Sequence, residues 1–216
     1  MKLHLGCGEQ HFEGYVNIDY PPSEHSVQQT SGADEFANLL ELKYKADTID
    51  EVRLHHVFEH FPRATACALL ASWNSWLKQG GVLEIEVPDF ERTAKVALSM
   101  FSSKQTKTIA LRHIFGSQEA HWAVHYHGYT PAILSALMEQ FGFKVKEVKR
   151  KNSRGILHNI DIIAIKVASK TKKEAELEAT AYLNGYMAAD ADSERLMVQT
   201  WLKEYRQQIE KTFATE

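Results

Sequence analysis

The sequence predicts an α/β fold: a mostly parallel sheet with helices on both faces, closed by an antiparallel strand pair and followed by a C-terminal helical extension. Three observations predict it. From Leu3 to Phe141, short β-type runs alternate with segments of helical spacing, the pattern that builds parallel sheets. Two β-type runs, 143–149 and 160–167, then flank a polar turn, Asn152-Ser153-Arg154-Gly155, and read as an antiparallel pair. From residue 170 the chain becomes rich in Ala, Glu, Lys and Gln, with apolar positions at helical spacing.

The first strand is short (Leu3, Leu5) and runs into Gly6-Cys7-Gly8. Glycines there allow a sharp turn and a close approach by a ligand. A helix starting just after them would aim free N–H groups at that ligand. The second strand, Tyr15 to Ile18, ends on Asp19, a carboxylate placed to accept hydrogen bonds from a ribose diol. The glycine-to-acid spacing is shorter than the roughly 20 residues of a dinucleotide fingerprint, and position 10 is Gln10 rather than a third glycine. A smaller nucleoside ligand fits better than NAD. Pro21-Pro22-Ser23-Glu24-His25 reads as a loop, and residues 33–42 are ambiguous in type.

Ile49 to Val57 reads as the fourth strand. Pro62 opens a helix over 63–78, through Ala66, Leu69, Leu70, Trp73 and Leu77. Gly80-Gly81 is expected to end it. Residues 82–87 alternate as a fifth strand that Pro88-Asp89 stops. Residues 90–116 look helical with a polar break at 102–105, and 117–129 form a loop rich in His and aromatics. Thr130 as N-cap and Pro131 at the first position open a helix to Phe141. The tail reads as helices over 171–187 and 192–212, giving a domain at 1–168 and an extension at 169–216. Trp201, Tyr205 and Ile209 recur every four residues, as a face docked on the sheet layer or one used in a homodimer would.

The 216 residues, 44% hydrophobic and 25% charged with a formal net charge of −3, are ordinary globular values. No global basic character recruits nucleic acid. Cys7 and Cys67 form no metal or disulfide pattern, there is no signal segment, and no run of about 18 apolar residues marks a membrane span. A cytoplasmic protein with reduced thiols is the expectation.

Leu5-Gly6-Cys7-Gly8 followed by Gly14-Tyr15-Val16-Asn17-Ile18-Asp19 resembles the first motif of the class I S-adenosylmethionine-dependent methyltransferases, most of all a compact bacterial branch in which the first helix is cut short. Asp50-Glu51-Val52, Val57-Phe58-Glu59-His60-Phe61, Leu77-Lys78-Gln79-Gly80-Gly81 and Val87-Pro88-Asp89 follow in the order that family uses. The resemblance covers residues 2–167. His4 stands where the family often has an acidic residue, and Gln10 replaces its third glycine. The resemblance implies a Rossmann-like seven-stranded sheet and S-adenosyl-L-methionine as cofactor. Gly6, Cys7 and Gly8 would pass under the methionine and ribose, and Asp19 would hold the ribose hydroxyls. Asn38 and Leu39, at the end of the third strand, would flank the adenine, while Asn38 as an ordinary loop residue stays open. His56 and Glu59 would sit near the methionine end.

Other clusters bear on the acceptor. His56-Val57-Phe58-Glu59-His60 matches a His-x-x-Glu-His zinc pattern, but that pattern needs a helix, and here a strand end precedes Pro62. Glu59 and His60 capping the next helix is the alternative. His121 and His125 have the spacing of a metal pair, but no carboxylate or cysteine placed to complete a site accompanies them, so no metal is expected. With Trp122, Tyr126, His127 and Tyr129 they make either a substrate-facing loop or packing. His60, His125 and His127 are the base candidates, since imidazole accepts a proton near neutral pH. Lys144, Lys146, Lys149, Arg150 and Lys151 either guard a sheet edge or contact an anionic substrate. The expected function is methyl transfer to a small-molecule or glycan acceptor, with no nucleic-acid or membrane partner. An inactive cofactor-binding scaffold and a nucleotide-binding oxidoreductase of similar sheet architecture are the other readings.

Overall fold

A computed structural model describes residues 1–24, 30–153 and 155–214. The strands are β1 (Lys2–Leu5), β2 (Val16–Asp19), β3 (Glu35–Phe36), β4 (Ile49–His55), β5 (Leu77–Pro88), β6 (Phe143–Ser153) and β7 (Leu157–Lys166). They form one sheet in the order β3-β2-β1-β4-β5-β7-β6. All neighbours are parallel except β7, which is antiparallel to both β5 and β6. The helices are α1 (Arg63–Trp76), α2 (Phe90–Leu98), α3 (Lys104–Phe115), α4 (Pro131–Gln140), α5 (Lys172–Asn184) and α6 (Asp192–Thr212). None is long and apolar enough to cross a membrane.

The two faces of the sheet differ. Registers place Leu3, Val52, Leu83 and Ala164 in one row and Leu5, Leu54, Ile85 and Ile162 in the next. These residues are buried in one core with Trp73 and Trp76 of α1, Leu137 and Met138 of α4, Ala175 and Ala179 of α5, and Tyr205 and Ile209 of α6. The opposite face carries His4, Arg53 and Glu84 in one row and His55, Glu86, Asp161 and Lys149 in another. α2 follows β5 directly and packs against α3 and β7, and His113 of α3 meets the His158 carbonyl and Asn159 at the start of β7. Buried charge on this face is paired: Arg53 and His55 with Glu84, and Lys151 with Glu86 and Asp161.

Several expectations need correction. No helix follows the glycine turn, and residues 6–15 cross to β2 as a chain of turns, so the helix N-terminus argument does not apply. The 63–78 helix ends at Trp76. Leu77 already pairs with Ile49, and Glu51 next pairs with Val82, so Gly80-Gly81 belongs to a bulge within β5 rather than to a helix stop. The final hairpin is longer than 143–149 and 160–167, with Ser153 paired to Leu157. The break in 90–116 is real, and Ser103 caps α3 through the Thr106 amide. Thr130 caps α4 with Pro131 at its start. The loop after Asp19 opens with a 3-10 turn at Pro22–Glu24, and its His25, like Arg154 of the hairpin turn, lies outside the described residues.

Candidate active site

The carboxyl ends of the parallel strands carry the candidate residues. Gly6 leaves β1 with φ of 66°, and Gly8 has φ of 59°, a left-handed conformation in which glycine escapes the Cβ clash. The Gly6 and Cys7 amides both donate to the Ile18 carbonyl, at 2.8 and 3.2 Å. The Gly8 amide donates to Asp19 Oδ2 at 2.6 Å, and the Tyr20 amide to Oδ1 at 2.8 Å. The turn and the carboxylate are therefore one unit. A Cβ built on Gly8 would meet nothing within 4 Å, whereas one on Gly6 would lie 2.3 Å from Val57. Gly8 faces open space beside Asp19, and Gly6 locks the turn against the chain leaving β4. This open, glycine-floored ledge beside a strand-end carboxylate fits an adenosyl group. The Cys7 thiol is buried, and burial together with Asp19 raises its pKa to about 12, so it is no nucleophile. Asn38 Oδ1 accepts from the Tyr20 hydroxyl and the Leu40 amide, both at 3.0 Å. Leu39 packs into the core.

One strand over, His56 follows β4 at φ of 56°, a strained value for a residue with a Cβ. Its amide donates to the Glu86 carbonyl. Its Nδ1 donates to Glu59 Oε1 at 3.3 Å, and its Nε2 lies 3.5 Å from Glu86 Oε1 and 2.9 Å from the Asn159 amide nitrogen. Burial opposes charge on this imidazole, but the bonds to Glu59 and Glu86 outweigh it and raise the pKa to about 10. For Glu59, at 1% exposure, burial pushes the carboxyl up, and the facing His56 outweighs that and lowers it. Glu59 and His60 occupy a 3-10 turn and do not cap α1, whose N-cap is Pro62 without a side-chain bond.

The His and aromatic loop folds onto this turn. The Tyr126 amide donates to the Glu59 carbonyl at 2.9 Å. His60 Nδ1 donates to the Val124 carbonyl at 3.2 Å, and the rings of His60 and His125 meet edge-on at 4.7 Å. His125 Nε2 lies 3.9 Å from Glu59 Oε1. Burial lowers the His125 pKa, so this imidazole is neutral near pH 7. A cavity of about 390 Å³ opens here, lined among others by His56, His60, His113, Trp122, His125 and Asn159.

The structure thus brings Gly6, Cys7, Gly8 and Asp19 together, and separately His56, Glu59, His60 and His125, with Gly6 and Val57 in contact between the two groups. His127 goes elsewhere. Its Nε2 hydrogen-bonds with the Tyr186 hydroxyl at 3.2 Å, its ring lies tilted against that of Tyr129 at 4.4 Å, and burial lowers its pKa to about 4. It anchors the C-terminal helices instead of facing the cavity. Glu86, His113 and Asn159 join the site without having been read from the sequence. The Glu84/Glu86 alternation carried that signal for Glu86. Asn159 sat outside the strand as read, and His113 was one polar residue on a helix. Of the basic run, Lys149, Arg150 and Lys151 are taken by Glu147, by Asp89 and Glu91, and by Glu86 and Asp161. β6 is a sheet edge.

A family model described as a methyltransferase domain matches residues 3–148. Among solved structures, the fold is similar to that of an S-adenosylmethionine-dependent methyltransferase from Methanosarcina mazei. The two are 18% identical, with 77% of this chain and 92% of that one covered, at a TM-score of 0.50. It is similar also to one from Mesorhizobium loti, 13% identical over 76% and 90% of the two chains, at a TM-score of 0.51. At these identities the likeness is one of fold. No protein of curated function matches the sequence.

Proposed function

The chain belongs to the methyltransferase-domain family, and from that premise we propose that it is an S-adenosylmethionine-dependent methyltransferase acting on a small-molecule or glycan acceptor. The observation that carries this reading is the 2.6 Å bond from the Gly8 amide to Asp19, which makes one ledge of the glycine turn and the strand-end carboxylate. When bound there, the cofactor supplies a sulfonium methyl already activated for displacement. The chain's own work is positioning and water exclusion. The backbone of Gly6, Cys7 and Gly8 would support the methionine and ribose. Asp19 would accept from the ribose hydroxyls, each carboxylate oxygen offering more than one acceptor site. Asn38 and Leu39 would border the adenine. His56 and Glu59, at the next strand end, would border the methionine end.

The acceptor reading rests on the cavity. Its size suits a single-ring or sugar-sized molecule, and its lining offers imidazoles and an indole for stacking and hydrogen bonding. Of the three base candidates, His60 and His125 line it. Calorimetry with S-adenosylhomocysteine tests the cofactor half. Binding to the wild-type protein should weaken by roughly 1–3 kcal/mol in Asp19→Ala, from the loss of charge-assisted hydrogen bonds. Equal affinity in the variant removes Asp19 from the site, and a preference for NAD over S-adenosylhomocysteine would replace this reading with the oxidoreductase one.

A further inference from the structure

We propose that Glu59, His60 and His125 form a binding site for one divalent transition-metal ion in the wall of the cavity, with the remaining coordination positions open to an acceptor oxygen. One ligand atom from each residue lies within 4.8 Å of the others. Glu59 Oε1 and His125 Nε2 are 3.9 Å apart, too far to hydrogen-bond and close to the roughly 3.4 Å separating two ligands on one tetrahedral ion at about 2.1 Å. Rotation of the Glu59 carboxylate about its soft terminal torsion would turn its second oxygen toward the set.

The surroundings look built for a cation. Glu59 Oε2 is buried and has no hydrogen-bond partner among the described residues. An orphaned buried carboxylate oxygen is costly, and an absent ion is one of the few things that accounts for it. His56 donates to the other oxygen, Oε1, which is also the one 3.9 Å from His125 Nε2. The Val124 carbonyl takes the Nδ1 proton of His60, which fixes the tautomer and leaves Nε2 with its lone pair outward, the usual outer-sphere arrangement of a ligating histidine. Two imidazoles and one carboxylate favour zinc, cobalt, manganese or iron over magnesium or calcium. Three protein ligands with an open fourth position are the pattern of reactive rather than structural sites.

The site differs from the His-x-x-Glu-His zinc pattern. His56, the first residue of that pattern, is spent on Glu59 and Glu86, and the third ligand comes from a loop 65 residues further on. A role in holding the acceptor rests on the methyltransferase reading. The ion site does not, and it gives His60 and His125 a ligating role in place of a proton-accepting one.

The test uses the full-length chain without a histidine tag, stripped with EDTA and titrated with cobalt(II) chloride. The expected result is visible d–d absorption of a four- or five-coordinate ion that saturates at one equivalent per chain and is displaced by zinc. His60→Gln and His125→Gln should each weaken binding by about tenfold or more, with circular dichroism reporting that the variants are folded. The wild-type spectrum alone reports coordination number, so the outcome does not hang on the variants. No absorption at stoichiometric cobalt, or equal affinity in both folded variants, overturns the proposal. S-adenosylhomocysteine titrated into the same metal-free protein reports on the methyltransferase reading separately: heat from that ligand without cobalt bands removes the metal site alone.

Discussion

At the scale of single residues, the two glycines of the turn look equivalent in sequence and are not. Gly6 needs its missing side chain twice over, for a φ of 66° and for a Val57 methyl 2.3 Å from where a Cβ would stand. Gly8 needs it only for a φ of 59°, because the space beyond is open. A left-handed alanine costs about 1–2 kcal/mol, and overpacking adds roughly 1–3 kcal/mol. Gly6→Ala should therefore lose roughly 2–5 kcal/mol in urea unfolding, against about 1–2 kcal/mol for Gly8→Ala. Gly8→Ala should show the larger drop in S-adenosylhomocysteine affinity per unit of stability lost, since its methyl enters the ledge. Equal stability losses would mean that Val57 yields freely. The meeting of Asp19 with the glycine turn was legible because their spacing is local. The parting of His125 from His127 was not, because Tyr186, which claims His127, lies 59 residues further along the chain. The same limit hid the meeting of Glu59 with His125, far apart in sequence and 3.9 Å apart in space.

At the scale of elements, what the sequence revealed best was the alternation of strands and helices, and what it concealed was where tertiary pairing overrides local pattern. The helical spacing through Leu77 is genuine. Even so, Leu77 joins Ile49 in the sheet and Lys166 donates to its carbonyl at 2.6 Å, so the helix stops one residue earlier. The final hairpin runs longer than its apolar residues because backbone pairing carries on past them, through Arg150 with Ile160, Lys151 with Asn159, Asn152 with His158 and Ser153 with Leu157, in a stretch without apolar alternation to mark it. β5 shows the consequence of a sheet face left to polar side chains. Burial alone would raise the Glu84 carboxyl, but hydrogen bonds from His55 and Arg53 hold it at about 2. Glu86 is held at about 2 in the same way, chiefly by His56 and Lys151. Both folded-state values lie below the ordinary 4.5, so as pH falls the unfolded chain takes up protons first. Their stabilisation is fully present above pH 4.5 and is lost as pH falls from there toward 2. Urea midpoints should therefore hold level with respect to these two groups from pH 7 to about 5 and drop below it. Glu84→Gln, less stable at pH 7, should show a shallower drop. A variant that tracks the wild-type acid limb in parallel would show that the drop arises elsewhere.

At the scale of the whole molecule, the change of composition near residue 170 is visible in sequence, but its meaning is not. A four-residue apolar period shows that a helix has a packing face without showing against what. In the structure that face is spent inside the chain. Tyr205 and Ile209 enter the same core as the sheet, and Arg63 of α1 stacks on Tyr186 and Trp201. Trp76 Nε1 donates to the Thr212 carbonyl at 2.8 Å, Ser72 Oγ meets Thr212 Oγ1 at 2.7 Å, and Gln208 donates to the Leu40 carbonyl at 2.8 Å. Burying Tyr205 and Ile209 contributes roughly 3–6 kcal/mol together. Leaving buried partners on α1 without hydrogen bonds costs roughly 1–3 kcal/mol each. The sum approaches the whole stability of an ordinary domain, about 5–15 kcal/mol. Residues 169–216 thus supply one wall of the core, although the family match ends at residue 148. The full chain should melt in a single transition followed alike by tryptophan fluorescence and far-ultraviolet circular dichroism. A fragment of residues 1–168 should show no cooperative transition at all, because α1, which with α4 covers that face of the sheet, then turns Trp76 and its neighbours to water. Cooperative melting of the fragment near the full-length temperature, with S-adenosylhomocysteine still bound, would make the extension an accessory and place the integrity of the core in 1–168 alone.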